Sequence, residues 1–271
     1  MRLALFLTLA AVLAAAQDAQ EIVRRSLVID EHNDRIARDY TFLERRETWE
    51  IDGDGQSRNR RVRTYDVTLL EGSPYRRLVE RDDRPLAPDE EAREEEKLHA
   101  SIAERQKETP AQRARRLEEW EKKRRTQREY LGEIPDAFQF RLLGEERLAG
   151  RDAWVVAADP LPGYRPRTST ARLFPHLRGK LWIDKQDSHW IRAEAEVVDT
   201  ISFGFFVARI GKGTRAWMQQ TLVNGEVWLP QQVVFEASAR IALVRKLRVA
   251  GDIRYRNYRK FQAESRVLPA P

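Results

Sequence analysis

The chain has 271 residues, a formal net charge of +6 and no cysteine. This length fits one large β-rich domain or two small ones, and the absence of cysteine excludes disulfides, so core burial must hold the fold together. Charged residues make up 34% of the chain against an average of about 25%, which indicates that some segment carries a concentrated excess of charge.

Residues 1–16 have the layout of a secretory signal peptide. Arg2 precedes an apolar run over 3–13 that is too short to span a membrane, and three alanines follow it. We predict cleavage after Ala16 and a mature protein, 17–271, that forms a single domain. Because no cysteine is available for acylation, we expect an exported, soluble protein in the periplasm without a lipid anchor.

A helix followed by a β-meander is predicted next. Apolar residues on one stripe indicate an amphipathic helix over 21–40. Strands are expected at 41–51 and 61–70, joined by a turn at 52–55, and 76–80 is a candidate third strand.

The excess charge lies in an inserted helical segment, 88–131. Thr109 and Gln112 around Pro110 form a capping-box pattern, which predicts two helices rather than one rod, and Gly132 is expected to end the second. The segment has few apolar residues, so we expect it to be weakly docked.

Three roles are open for this segment: a solvated hairpin, a mobile cover over a sheet face, or a basic surface. The basic surface would meet an anionic membrane or a membrane receptor, and export argues against nucleic acid as its partner. Its predicted residues are Arg113, Arg115, Arg116, Lys122, Lys123, Arg124 and Arg125.

Strand patterns resume after Pro135 and continue to the end of the chain. They are interrupted by a proline-rich loop over 159–178, for which an ordered flap is favoured slightly over a plain linker. A hairpin and a third strand are predicted over 179–207. Further strands are predicted at 215–222 and 226–229 around an Asn-Gly turn, and then at 232–243 and 249–259. We therefore predict a mainly β fold with helices, in which roughly ten strands form a curved antiparallel sheet or incomplete β-barrel.

The sequence offers no recognisable catalytic set. Its four histidines are scattered without metal-ligand spacing, and no nucleophile-elbow motif is present. Asp187, Ser188 and His189 are adjacent in a predicted turn, where they cannot converge as a triad requires. We predict no cofactor, no metal and no enzymatic activity. A hydrolase would need a pocket that brings His176 or His189 against Asp184 and a hydroxyl group.

The order of elements, with the segments AGRDAWVV, GKLWIDK and NGEVWLPQQVVF, resembles the LolA/LolB-like superfamily of periplasmic lipoprotein and lipid carriers, in its outer-membrane lipoprotein-sorting-like branch. The strand Gly179–Asp184 is most similar to the family pattern. The resemblance implies an incomplete β-barrel whose apolar concave face receives acyl chains. The size of the 88–131 segment departs from this family and leaves its role open.

Apolar residues on the predicted inner strand faces are the candidate lipid-binding side chains. They are Val155, Leu181, Ile183, Ile201, Phe203, Phe205, Val207 and Phe235. The alternative for each is a fully packed core, because apolar strand faces usually pack. The sequence leaves two functions open: a carrier or chaperone for acylated ligands, either lipoproteins or lipids, and an envelope-stress sensor or assembly scaffold that uses the same fold for protein contacts.

Overall fold

The computed structural model describes residues 2–203, 208–241 and 245–261. The helices are α1 (Arg2–Ala37), α2 (Pro88–Gln106), α3 (Pro110–Arg128) and α4 (Ile134–Ala137), with 3-10 turns at Glu129–Glu133 and Thr170–His176. The strands are β1 (Tyr40–Ile51), β2 (Ser57–Leu70), β3 (Ser73–Arg81), β4 (Arg84–Pro85), β5 (Phe138–Leu148), β6 (Arg151–Pro160), β7 (Leu177–Asp184), β8 (Trp190–Val197), β9 (Ile201–Phe203), β10 (Ala208–Ile210), β11 (Arg215–Val223), β12 (Val227–Ile241) and β13 (Arg245–Lys260).

All of these strands belong to one antiparallel sheet, as the sequence predicted. Its main path runs β4-β3-β2-β1-β13-β12-β11-β8-β7-β6-β5, and β9 and β10 form a hairpin attached to β12. Within the described residues, β4 and β5 each pair with one neighbour only, so the sheet is open. One edge is the two-residue β4, and the other, β5, contains a register shift at Gly144, whose φ is +138°.

Three predicted boundaries were wrong. The first helix ends at Ala37, and Tyr40 already begins β1; in the structure this helix is continuous with the predicted leader. Gly132 does not end α3, which stops at Arg128 and is followed by a 3-10 turn. The strands predicted at 226–229 and 232–243 are a single strand, β12.

Pro230 explains why β12 was divided in the prediction. Proline has no N–H to donate, so it interrupts most strands. Here it lies at a β-bulge, where the register of β11 and β12 shifts between Gln219 and Gln220. The bulge removes the need for a hydrogen bond from Pro230, and the strand continues.

Helix α1 lies against one face of the sheet, which we call the covered face. Its Ala19 and Val23 are fully buried in the largest apolar cluster, together with Phe138, Val156 and Leu181. The N–H of the Trp190 ring donates to the Ser26 hydroxyl at 2.7 Å, which ties the middle of the helix to β8.

Within the part of the chain that the structure describes, no helix combines the length and apolar character needed to cross a membrane.

Helices α2 and α3 form a hairpin, which we call the arm. The predicted capping box is present: the Gln112 N–H donates to the Thr109 hydroxyl, and the Gln112 side chain accepts from the Thr109 N–H at 2.8 Å. Among the described residues of these two helices, none is fully buried. The arm is therefore attached mainly by polar contacts, and its weak docking stays a prediction.

Ion pairs attach the arm at two places. On β3 and its turn, Arg77 contacts Glu95 at 2.8 Å, and Arg116 donates to the Ser73 hydroxyl at 2.6 Å. On α1, Asp34 contacts Arg124 at 2.5 Å, and Asp30 contacts Arg128. The arm thus joins the β2–β3 corner to α1.

Candidate functional site

Cross-strand register aligns one apolar side chain from each of seven neighbouring strands on the covered face. Directly opposed residues of antiparallel strands point to the same side of a sheet, so these residues form a continuous line. From β5 to β13 they are Leu142, Val156, Leu181, Ala193, Met218, Val233 and Ile253. We call this set the apolar row.

A parallel line of small residues explains why there is space above the sheet. Ala158, Gly179, Ala195 and Ala216 are cross-strand neighbours on β6, β7, β8 and β11. Phe140 and Phe235 continue the same line at its two ends. Interiors normally pack to high density, so four adjacent positions with almost no side chain leave a trough that their neighbours do not fill.

This trough is an apolar cavity of about 300 Å³. Phe138, Phe140, Leu181, Met218 and Val233 line it, and its lining within the described residues includes only two charged side chains, which lie on β7 and β8. The volume is at the lower end of the usual range for ligand sites, about 300–1,000 Å³. The cavity is apolar enough to take hydrocarbon and too apolar to hold a polar substrate.

A second cavity of about 280 Å³ adjoins the first. It lies between α1, the C-terminal end of α3 and the sheet, and its walls include Phe42 and Tyr258. Trp190 and Met218 line both cavities. The space above the sheet therefore continues from β5 toward β1, beneath α1 and the end of the arm. Its second part is also lined by charged side chains, Asp30, Asp34, Arg124 and Arg128.

The proline-rich loop closes one side of the first cavity. Its Phe174 is buried and packs on Phe138, with ring centroids 5.1 Å apart. The 3-10 turn places Glu133 where it holds this loop: Oε2 accepts from the Arg167 N–H at 2.7 Å and from the Tyr164 hydroxyl, and Oε1 accepts from the Thr168 N–H at 2.8 Å. That this loop acts as a flap stays a prediction.

Burial and hydrogen bonding act in opposite directions on Glu133. Burial by itself raises the pKa of a carboxyl group. The hydrogen bonds from Tyr164, Arg167 and Thr168 outweigh it and lower the pKa of Glu133 to about 2. The carboxylate is therefore charged at any physiological pH and anchors the loop permanently.

The predicted lipid-binding residues fall in different places. Leu181 lines the first cavity, and Ile183 is fully buried in the cluster beneath it. Phe235 is half-buried at the end of the small-residue line, where its ring occupies the space above Gly251. Val155 belongs to a separate cluster with Trp182, on the opposite face from Val156. It therefore lies away from the cavities.

The remaining candidate lipid-binding residues lie on the third strand that was predicted within 179–207. Ile201 is buried at the start of β9 and lines neither cavity. The backbone of Phe203 is described as the end of β9. Phe205 and Val207 lie outside the described residues.

Sequence reasoning missed most of the cavity lining. Met218 and Val233 come from strands that were predicted, and the apolar residues Val233 and Phe235, two positions apart, were a signal for Val233. Ala193 and Ala195 were not among the candidate lipid-binding residues, because a small side chain on its own gives little indication of a binding site. Their importance appears only when the strands are aligned side by side.

The polar side chains near the β7–β8 turn contact residues other than those that a catalytic triad would require. Asp184 accepts from Arg151 at 2.7 and 2.9 Å, and Asp187 accepts from Arg151 at 2.6 Å. His189 is fully buried, stacks on Trp228 and lies 3.2 Å from the Gln220 oxygen. Burial is the main cause that lowers the pKa of His189, which keeps its ring neutral. In the described part of the chain, no cluster of side chains suitable for a metal ion occurs.

No protein-family model matches the chain, and no curated protein matches it in sequence. Among solved structures, it is similar to an outer membrane lipoprotein-sorting protein domain from Vibrio parahaemolyticus, at 10% identity and a TM-score of 0.35, over 90% of this chain and 95% of that chain. It is also similar to a LolA superfamily protein from Nitrosomonas europaea, at 13% identity and a TM-score of 0.31, over 89% and 94%. The MucA/MucB complex structure from Pseudomonas aeruginosa follows at 14% identity and a TM-score of 0.25, over 91% and 100%.

These similarities concern the fold alone. The chain itself forms an open antiparallel sheet with a helix on its covered face and inserted helices.

Proposed function

We propose that this protein is a non-catalytic carrier or chaperone that binds the acyl chains of lipoproteins or lipids on the covered face of its sheet. The observation that carries the proposal is the apolar cavity of about 300 Å³ above the small-residue line. From β6 to β12, the cavity crosses four strand spacings, or about 19 Å. One leaflet of a bilayer's hydrocarbon core is about 15 Å thick, so an acyl chain fits along this path.

The expected affinity suits a carrier. Burial of about ten methylene groups at ~0.8 kcal/mol each gives ~8 kcal/mol, which corresponds to roughly micromolar binding before ordering costs. Such binding is strong enough to shield a hydrocarbon chain from water and weak enough to release it. No step requires a catalytic group or a cofactor.

The location and partners belong to the same proposal. The predicted signal peptide supports export to the periplasm, where acylated ligands need a carrier. On the arm, part of the predicted basic surface is used internally, since Arg113 contacts Glu71 and Arg116 contacts Glu108. Exposed cations remain on α3 without an ionic partner among the described residues: Arg115, Lys122, Lys123 and Arg125. We assign to them the contact with an anionic membrane or a membrane receptor.

A cavity-filling variant tests the proposal. Ala193→Phe projects a ring into the cavity from its floor and should weaken binding of a fluorescent fatty acid at least about tenfold. The matched control is Ala157→Phe, because Ala157 is also half-buried in a central strand but lies opposite Lys180, on the other face. Ala157→Phe should bind the probe like the parent protein.

Mass spectrometry of the protein purified from native membranes provides the second readout, and we expect co-purifying acyl ligands. Equal binding by both variants would show that hydrocarbon does not enter this cavity. Absence of any acyl ligand, together with no probe binding, would favour the sensor or scaffold function instead.

A further inference from the structure

The apolar row does not end at β13 but continues across the sheet as a row of arginines. Ile253 lies directly opposite Arg46 on β1. Arg46 is opposite Arg63, Arg63 is opposite Arg81, and Arg81 is opposite Arg84 at the sheet edge. We call these four residues the arginine row. Since each pair is directly opposed, the arginine row and the apolar row share the covered face.

Neighbouring like charges make this arrangement unfavourable without an anion. Like charges directly opposite each other across a strand pair destabilise a sheet. Glu44 contacts Arg46 at 3.2 Å, and Glu90 of α2 contacts Arg81 at 2.9 Å. Arg63 and Arg84 are exposed and have no ionic partner among the described residues. The row therefore keeps an excess of positive charge that its own surroundings do not neutralise.

The other charged groups on this part of the face do not remove the excess. Arg76 also contacts Glu44 and stacks over the Tyr65 ring at 3.6 Å, so it competes for the same carboxylate. Arg61 precedes Arg63 by two residues on β2 and points to the same side. Both side chains add positive charge beside the row.

The spacing of the two rows fits one amphiphilic molecule. Val233, at the β12 end of the cavity, and Arg46 are two strand spacings apart, which is about 10 Å. A single acyl chain is about 15 Å long, since it fills half of a hydrocarbon core of about 30 Å. A lipid whose headgroup lies at the arginines therefore reaches into the cavity with the end of its acyl chain. The guanidinium group presents paired N–H donors that match the oxygens of a phosphate.

We propose that the arginine row binds the phosphate headgroup of an anionic phospholipid whose acyl chain occupies the apolar cavity. This inference rests on the proposed function and narrows its ligand from acylated molecules in general to lipids with a net negative headgroup. An uncharged acyl anchor would leave the row unneutralised and is a poorer ligand.

The test compares two lysophospholipids with the same acyl chain below their micellar concentrations, using isothermal titration on the full chain. Lysophosphatidylglycerol carries a net negative charge, and lysophosphatidylcholine is zwitterionic. We expect the anionic lipid to bind at least about tenfold more tightly, with a preference that shrinks as salt rises. In the double variant R63Q/R84Q the preference should disappear, because the affinity for the anionic lipid should fall much more than the affinity for the zwitterionic lipid.

The control variant R24Q/R25Q removes two exposed arginines from α1 and should keep the preference. The melting temperature of R63Q/R84Q should not fall, since the change relieves like-charge contacts. Equal binding of the two lipids, or a preference that survives R63Q/R84Q, would overturn the headgroup assignment and leave the carrier function standing. If neither lipid binds, the carrier function fails and the assignment fails with it.

Discussion

The side chain of Asn33 forms two hydrogen bonds with the backbone of Trp228, in the way that a neighbouring strand would. Its Nδ2 donates to the Trp228 carbonyl at 2.8 Å, and its Oδ1 accepts from the Trp228 N–H at 2.7 Å. Asn33 lies near the end of α1, and Trp228 lies near the start of β12. The pair thus fixes the helix to the sheet beside the cavities.

Loss of this pair should destabilise the protein strongly. Asn33→Ala leaves a buried donor and a buried acceptor of β12 without partners, so we expect the free energy of unfolding to fall by roughly 2–4 kcal/mol. Denaturant titration measures this change. The neighbouring His32 is exposed, and His32→Ala serves as the control that should have almost no effect. Equal stability of the two variants would show that the two hydrogen bonds between Asn33 and the Trp228 backbone do not contribute to the free energy of unfolding.

The low pKa of Glu133 predicts a pH dependence of stability. Because the folded pKa, about 2, lies below the usual 4.5, this group stabilises the fold above about pH 4.5, and the contribution is lost as pH falls toward 2. Glu133→Gln should cost roughly 3 kcal/mol near neutral pH, with the difference from the parent protein shrinking in acid. Denaturant titrations at several pH values measure it.

Glu129 provides the comparison for that experiment, since it is exposed on the same 3-10 turn. Glu129→Gln should leave the pH profile unchanged. If the free energies of unfolding of Glu133→Gln and the parent protein differed by the same amount at all pH values, the low pKa of Glu133 would not be the cause of the difference.

The ion pairs between the arm and α1 predict a local, salt-sensitive opening. Asp34 contacts Arg124 at 2.5 Å and Arg128 at 3.4 Å, so Asp34→Asn weakens two contacts at once. Partly exposed pairs contribute up to about 1 kcal/mol, so amide exchange in α3 should accelerate about fivefold while the central strands stay protected. Hydrogen exchange with mass spectrometry resolves these segments.

Asp39→Asn is the matched control for the arm, because Asp39 is exposed just beyond α1. Added salt should accelerate exchange of α3 in the parent protein and have less effect in Asp34→Asn. If the rate of amide exchange in α3 changed neither with added salt nor in Asp34→Asn, apolar contacts would be what holds the arm.

The limited volume of the apolar cavity, about 300 Å³, predicts a limit on acyl-chain length. Affinity should rise by about 0.8 kcal/mol per added methylene group until the chain spans the cavity, and then level off. A displacement series of saturated fatty acids measures the break point. Ala193→Phe should move the break to shorter chains, and Ala157→Phe should not. A linear rise without a break would point to binding on an open surface.

Local patterns allowed prediction of the individual elements. Asn224 and Gly225 marked a hairpin turn, and both adopt positive φ values in the structure, at 53° and 69°. The Thr109 capping box divided the arm correctly. These features depend on residues close together in sequence, so the chain alone determines them.

The site could not be predicted in the same way, because it depends on register between distant strands. One bulge shifts the pairing of β11 with β12, and another shifts β7 against β8 between Trp182 and Ile183. A shift of one residue sends a side chain to the other face of a sheet. Val155 shows the result: it is adjacent to Val156, and no local pattern distinguishes which of the two faces α1.

The two edges of the sheet have a consequence for behaviour at high concentration. An unpaired strand edge can template the addition of strands from other molecules, which is a route to fibres. At one edge, Pro85 makes up half of β4 and has no N–H to offer. At the other, the kink at Gly144 is followed by the charged pair Glu145 and Glu146. A strand from a second copy finds no flat partner at either border, so this open sheet is protected against polymerisation.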